Sequence, residues 1–226
     1  DEIVRMAEER DIYLIPVLNN HGKISTFCDQ EWHRNPFNRR NGGFLDNCED
    51  FYSSPRAKQA FKRYARYLIA RWGYSPNILS WKLFSEINLT GNSTNCYRQP
   101  AAREWHKEMG DFMWRHDPNR HMVTTHWSSD YRVINDGIAD LQELDYLTTD
   151  AYGGSNQHVF QLIEGTAAYG EQKRKPVVIT EYGGSPFGDS VGDLTKQLHL
   201  GLWKGYFAKM AISPMLWWFA FVEEQD

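Results

Sequence analysis

Residues 78–86 read ILSWKLFSE and residues 177–181 read VVITE, and these two segments decide the fold. Each is a short run of apolar and β-branched residues that ends in a glutamate. Runs that are apolar on both faces are typical of strands in a buried parallel sheet. Both segments are therefore predicted to be parallel strands, with Glu86 and Glu181 at their carboxyl ends.

Amphipathic stretches alternate with strand-length runs along the rest of the chain. One stretch begins at Ser54 and ends at Gly73, a second ends at Asp117, and a third follows Asp193. Alternation of strands and helices predicts βαβ units and a parallel sheet. The remaining apolar runs cover residues 12–18, 122–127, 146–152 and 215–221.

Two architectures contain such a sheet: a closed (β/α)8 TIM barrel and an open doubly wound sheet. No glycine-rich phosphate loop follows any run, which weakens the nucleotide-binding form of the open sheet. Polar residues instead follow several runs, and a barrel gathers its active site at that rim. The α/β barrel is therefore favoured. These polar residues are Asn19, Asn20, His21, Ser85, Glu86, His126, Asp150, Glu181, Glu223 and Glu224.

Composition and charge exclude several classes of partner. The 226 residues carry a net charge of −4 and have no basic stripe with interleaved aromatic residues, so we expect no nucleic-acid partner. No apolar run approaches the ~18 residues that cross a bilayer, so we expect no membrane partner. Aromatic residues make up 15% of the chain, with nine Trp, which fits either a Trp-rich core or rings that stack on sugars.

The cysteines and the long polar segment leave alternatives open. Cys28, Cys48 and Cys96 lack the paired close spacing of a zinc site, and we expect neither a metal nor a cofactor. Cys28 and Cys48 fall in one loop, where they form a disulfide or remain reduced. That loop, residues 22–51, is polar and long enough to be functional, and it is predicted to wall a substrate cleft.

The two glutamates fit the chemistry of glycoside cleavage. One carboxyl group gives a proton to the leaving oxygen, and the other attacks the anomeric carbon or activates a water. Opposite strands of a barrel rim can hold two carboxyl groups at ~5 Å, as the retaining route requires. The alternative is that Glu86 and Glu181 each form a buried salt bridge, but two such residues at equivalent strand ends favour catalysis.

Residues 81–90 (WKLFSEINLT) and 177–184 (VVITEYGG) resemble the acid/base and nucleophile motifs of the clan A glycoside hydrolases, the group containing family 5 cellulases and mannanases. The resemblance extends from NNHG at residues 19–22 to LWW at residues 216–218. It implies that Glu86 is the acid/base at the end of the fourth strand and Glu181 the nucleophile at the end of the seventh. It also implies one catalytic barrel domain over residues 1–226 that contains strands 3 to 8, with the first two strands absent from this sequence.

The resemblance implies a function and a set of substrate contacts. The chain is expected to be a retaining β-glycoside hydrolase that cleaves poly- or oligosaccharides by double displacement, without a cofactor. It is expected to be secreted or periplasmic, because its substrates are polymers. Tyr152 is expected to donate a hydrogen bond to the nucleophile. The other expected contacts come from His21, from His126 or Trp127, and from a sugar platform at Trp217 or Trp218, although each aromatic residue also fits a core role.

Two departures from the family pattern support an alternative. Ser85 stands where an Asn usually binds the sugar 2-hydroxyl, and Asp150 begins the sequence Asp-Ala-Tyr where His-x-Tyr is common. These changes fit a catalytically silent barrel that binds glycans. A third hypothesis is a metal-dependent hydrolase using His21 and His126, and the lack of a His-x-His spacing weakens it.

Overall fold

The computed structural model describes residues 1–184 and 189–218. The chain divides into two compact units, residues 1–126 with 135–145, and residues 127–134 with 146–226. Parallel strands alternate with helices, as predicted, but the described residues form no closed barrel. The expectation of one catalytic domain over the whole chain stays a prediction.

Two helices match boundaries that the sequence indicated: one begins after Ser54 and ends at Gly73, and another ends at Asp117. The N-cap hydroxyl of Ser54 accepts a hydrogen bond from Ala57 N at 3.3 Å, and Gly73 caps the other end of the same helix. Within the described residues the α-helices are α1 (Glu2–Glu8), α2 (Asp50–Ser53), α3 (Pro55–Trp72), α4 (Pro100–His116), α5 (Asp136–Ala139), α6 (Asn156–Lys173) and α7 (Val191–Phe207). None of these helices is long and apolar enough to span a membrane.

One helix boundary differs from the sequence prediction, and one long helix had no predicted boundary. Helix α7 begins at Val191, before Asp193, because the hydroxyl of Ser190 accepts a hydrogen bond from Asp193 N and serves as the N-cap. Helix α6 was not delimited from the sequence. Its signal is an N-cap serine, Ser155, followed by buried residues at helical spacing from Val159 onward.

The strands are short and parallel. They are β1 (Ser80–Lys82), β2 (Met122–Thr124), β3 (His126–Trp127), β4 (Leu147–Tyr152) and β5 (Val177–Gly183). In the first unit β1 pairs with β2. In the second unit β4 lies between β5 and β3. Of the two residues of β3, only Trp127 belongs to this unit.

One predicted strand is reduced to isolated bridges, and another is only partly covered by the described residues. Residues 12–18 pair with the β1 segment only at Leu14 and Val17, because Pro16 between them has no N–H to donate. Of residues 215–221, Leu216 bridges Tyr182, and residues 219–221 lie outside the described part of the chain.

The core of the first unit is largely aromatic, so the core interpretation accounts for much of the Trp content. Trp105 is fully buried, with its ring centroid 4.8 Å from that of Phe61, 5.5 Å from Phe51 and 5.3 Å from Phe84. Trp32 and Trp81 of this unit are also buried, and so is Trp127 of the second unit. Edge-to-face and tilted ring pairs of this kind contribute beyond their buried area.

A neutral histidine beside this cluster should make stability depend on pH. His106 is fully buried, with Nδ1 2.7 Å from the carbonyl oxygen of Ala102 and Nε2 3.1 Å from the hydroxyl of Thr125. A carbonyl only accepts, so Nδ1 carries the proton and Nε2 accepts from Thr125. Burial lowers the pKa of His106 to about 4, from an ordinary value of 6.5.

The sign follows from proton binding. Between pH 6.5 and pH 4 the unfolded chain binds a proton at His106 and the folded chain does not, so stability falls as the pH falls through this window. The contribution lost between pH 7 and pH 4 is roughly 3 kcal/mol. Urea unfolding should show a smaller loss over this range in His106→Gln than in the wild type. His33→Gln, at an exposed position, should keep the full loss, and equal slopes in all three proteins would contradict the assignment.

Candidate active site

Glu86 occupies a strained backbone position just after β1. Its backbone is left-handed, with φ 53° and ψ 54°, which costs a non-glycine residue about 1–3 kcal/mol. Its N–H donates to Nδ1 of His126 at 3.2 Å, and its carbonyl accepts from Leu89 N at 2.9 Å. These bonds hold the residue in place, and its side chain is 23% exposed. Sequence patterns gave no sign of this conformation.

His21 contacts Glu86 directly. The residue is buried at the start of a short 3-10 helix, with Nδ1 3.0 Å from Oε2 of Glu86 and Nε2 2.8 Å from Oδ2 of Asp29. Burial lowers the pKa of His21, but the two adjacent carboxylates of Glu86 and Asp29 outweigh burial, and the pKa is raised. The sequence predicted a substrate contact for His21 and missed Asp29 entirely.

Pairing with the β1 segment brings the residues of the first unit together. Asn20 bridges Ser85, and Ser85 N donates to the carbonyl of Asn19 at 2.8 Å. This register places His21 beside Glu86. His126 is 1% exposed, and its ring holds the backbone of Glu86, so we assign it a positioning role. Contact of Ser85, His21 or His126 with a substrate stays a prediction.

The second group of candidate residues lies on β4 and β5, whose pairing shifts by one residue. Thr149 pairs with Ile179, and the next pair is Asp150 with Glu181. Thr180 is therefore a β-bulge. Because side chains alternate between the two faces of a sheet, the extra residue moves Glu181 to the face that carries Asp150.

The bulge separates the carboxylate of β5 from its apolar side chains. Ile179 and Tyr182 both pack in a buried cluster with Leu162, while Glu181 faces the other way and is half-buried. Tyr152 shares the face of Glu181, and its hydroxyl donates to Oε2 of Glu181 at 2.9 Å. This is the hydrogen bond to the predicted nucleophile that the sequence led us to expect.

The other predicted residues of the second unit differ in exposure. Asp150 is fully buried, and its Oδ1 accepts from the hydroxyl of Thr180 at 3.4 Å. Trp127 is also fully buried, and its indole N–H has no hydrogen-bond partner among the residues the structure describes. Trp217 is 45% exposed and Trp218 is half-buried, with ring centroids 6.4 Å apart. Their role as a sugar platform stays a prediction.

The loop of residues 22–51 is ordered by side-chain bonds to its own backbone. The Nδ2 of Asn35 donates to the carbonyl of Lys23 at 2.7 Å, and that of Asn38 donates to the carbonyl of Trp32 at 3.1 Å. A cavity opens along this loop, and most of its lining residues are polar, among them Asn38, Arg39 and Asp46, with Trp32 beside them. All three cysteines are free thiols, so the alternative of a disulfide between two of them is wrong for this structure.

Comparison with known proteins places the chain among distant relatives. No family model matches it. The chain is 26% identical over 204 residues to probable mannan endo-1,4-beta-mannosidase C of Aspergillus terreus, and 28% identical over 200 residues to mannan endo-1,4-beta-mannosidase A of Podospora anserina. These alignments cover 76% and 81% of this chain and 50% of each relative. The chain thus spans about half the length of the curated relatives it matches.

Solved structures share the fold. A beta-glucuronidase of Ruminococcus gnavus matches with a TM-score of 0.60 at 14% identity, over 96% of this chain and 35% of that one. A beta-galactosidase of the psychrophilic Marinomonas ef1 matches with a TM-score of 0.56 at 10% identity, over 80% of this chain and 40% of that one. The resemblance read from the two glutamate motifs is confirmed as distant homology to family 5 mannan endo-1,4-beta-mannosidases. The chain is an α/β segment that matches part of glycosidase barrel domains.

Proposed function

We propose that this chain carries the two catalytic carboxyl groups of a retaining β-glycoside hydrolase. The observation that carries the proposal is that two glutamates lie near the carboxyl ends of parallel strands, and each contacts a side chain suited to its role. Tyr152 donates to Glu181, and His21 contacts Glu86. The fold itself hosts many chemistries, so the residues carry the proposal and the fold only permits it.

Glu181 is suited to be the nucleophile. A nucleophilic carboxylate must be ionised, and a hydroxyl that donates to one of its oxygens stabilises the ionised form. Tyr152 supplies that hydroxyl to Oε2. The bulge at Thr180 turns the carboxylate away from the apolar cluster on the other face of β5, which keeps it out of a purely hydrophobic environment.

Glu86 is suited to exchange protons. An acid/base is protonated in one half of the reaction and ionised in the other, so its neighbour must tolerate both states. When it is neutral, the imidazole of His21 can accept a hydrogen bond from the protonated carboxyl group of Glu86 at Nδ1. When it is protonated, it can donate one to the carboxylate. The left-handed backbone of Glu86 and its hydrogen bond to His126 fix the main-chain position from which the side chain extends.

The reaction then follows the double-displacement route. Glu86 gives its proton to the glycosidic oxygen while Glu181 attacks the anomeric carbon, which forms a glycosyl ester and releases the alcohol. Glu86, now ionised, takes a proton from water as that water attacks the ester and frees Glu181. The anomeric configuration is retained, and no cofactor takes part.

β-1,4-Mannan is the polysaccharide we propose first, because the distant relatives are named for it. The cavity along residues 22–51 supports a carbohydrate ligand, since its lining combines Trp32 with Asn, Arg and Asp side chains. Secretion is part of the same proposal, because a polysaccharide such as mannan is degraded outside the cell. A silent glycan-binding barrel is the second candidate, favoured by Ser85, whose side chain is shorter than that of the usual Asn.

Removing the hydroxyl of Tyr152 tests the environment of the nucleophile. Tyr152→Phe deletes a hydrogen bond to a charged group, which is worth about 1.5–3 kcal/mol, so kcat/KM on an aryl β-mannoside should fall about 10- to 100-fold. Tyr182→Phe is the matched control, because the Tyr182 hydroxyl donates to the main-chain carbonyl of Gln197 and does not reach the carboxylate. This variant should lose stability and keep its kcat/KM. Equal losses of kcat/KM in both variants would show that Tyr152 acts only through the fold.

A further inference from the structure

We propose that His21, Cys28 and Asp29 bind one thiophilic divalent cation of the Zn²⁺ or Cd²⁺ class. All three residues belong to the first unit. Nε2 of His21 lies 2.8 Å from Oδ2 of Asp29, and Sγ of Cys28 lies 3.9 Å from the same oxygen. One donor atom from each residue lies within 4.8 Å of the other two.

These separations suit a tetrahedral cation. Zn²⁺ binds nitrogen at ~2.0 Å and sulfur at ~2.3 Å, so the ligand atoms around it lie about 3.5 Å apart. The Asp29 side chain is 73% exposed and can move the short distance that opens its contact with His21. His21 is buried and stays fixed. The cation can therefore enter with a change in one exposed side chain.

The donor set indicates which cation binds. An imidazole nitrogen, a thiolate and one carboxylate suit Zn²⁺ and its softer relatives, whereas Mg²⁺ and Ca²⁺ prefer oxygen ligands alone. Three protein ligands leave a fourth position for water, as in open zinc sites.

The carboxylate of Glu86, in close contact with the other ring nitrogen of His21, is a second observation that fits a metal site. A histidine that binds a cation through one ring nitrogen usually donates its other N–H to a carboxylate, which fixes the ring and its tautomer. Nδ1 of His21 lies 3.0 Å from Oε2 of Glu86, so Nε2 is the nitrogen that faces Asp29 and Cys28. A cation held there would lie one imidazole ring away from the proposed acid/base.

Cys28 differs from the other two thiols in its accessibility. Cys48 and Cys96 are buried. Cys28 is only partly buried. It lies in a turn that is closed by a hydrogen bond of 3.1 Å from its N–H to the hydroxyl of Ser25. A cation from solution can therefore reach Cys28, and Cys48 serves as a matched control.

Cadmium titration of the full chain tests the proposal. With a non-thiol reductant present, Cd²⁺ should produce the ultraviolet absorption of a thiolate–cadmium bond, which saturates at one equivalent. Cys28→Ser should abolish this absorption, and Asp29→Asn should weaken the affinity about tenfold or more. Cys48→Ala should keep both the absorption and its stoichiometry.

Several outcomes would overturn the site. These are absorption that persists in Cys28→Ser, absorption that disappears in Cys48→Ala, or a titration that does not saturate at one equivalent. Circular dichroism of each variant shows whether it has folded, and Asp29→Asn changes only an exposed side chain. Binding is measured without a substrate, so this site stands or fails separately from the glycosidase proposal.

Discussion

Replacing Glu181 with alanine is expected to lower kcat on β-mannan and on aryl β-mannosides by on the order of 10⁴- to 10⁶-fold. The substitution removes the atom that forms the covalent bond to the anomeric carbon, and no neighbouring group replaces it. The carboxylate is half-buried and hydrogen-bonded to Tyr152, so its loss leaves space next to the donor hydroxyl. A small anion can occupy that space.

Azide provides the decisive measurement for Glu181→Ala. Azide should restore turnover of an activated aryl mannoside by attacking from the face that Glu181 used, and the product should be the α-mannosyl azide. Glu171→Ala, on the exposed surface of α6, is the control and should keep wild-type kcat. Undiminished turnover in Glu181→Ala would contradict the assignment. A wild-type protein that binds mannooligosaccharides and cleaves none would favour the silent glycan-binding barrel.

Replacing Glu86 with alanine is expected to have an effect that depends on the leaving group. Polysaccharide and alkyl glycosides need a proton on the departing oxygen, so their turnover should fall by about 10²- to 10⁴-fold. The leaving group of a dinitrophenyl mannoside is dinitrophenolate, a stable anion that needs no proton. The first step with this substrate should therefore stay close to the wild-type rate. The second step still needs a base, so the glycosyl ester should accumulate and produce a burst of released phenol.

The azide product distinguishes this glutamate from the other one. In Glu86→Ala, azide intercepts the ester from the face that water normally uses, so the product should be the β-mannosyl azide. Alanine and glutamate both carry a Cβ at the left-handed position, so the substitution adds no new backbone penalty. Glu104→Ala, exposed on α4, is the control. An equal rate loss for every leaving group, or an α-azide product, would rule out Glu86 as the acid/base.

Much of the fold was predictable because its signals are local. Ser54 before Pro55 and Gly73 after Trp72 set the ends of α3 through backbone bonds within a few residues. The predicted apolar runs at residues 146–152 and 177–182 form the parallel strands Leu147–Tyr152 and Val177–Gly183, each within one residue of the predicted ends. The run at residues 12–18 forms only isolated bridges, because Pro16 has no N–H to donate to the segment that contains β1.

The sequence by itself determined the alternation of strands and helices, the resemblance to distant relatives, and the two glutamates at the ends of apolar runs. Only the tertiary structure decided how those glutamates are held. The left-handed backbone of Glu86, the bulge at Thr180 and the contacts of His21 with Asp29 and Glu86 all depend on partners far apart in the chain or on strand pairing. Local propensities carry no information about such partners, because a hydrogen bond between distant segments stabilises a conformation that each segment alone would avoid.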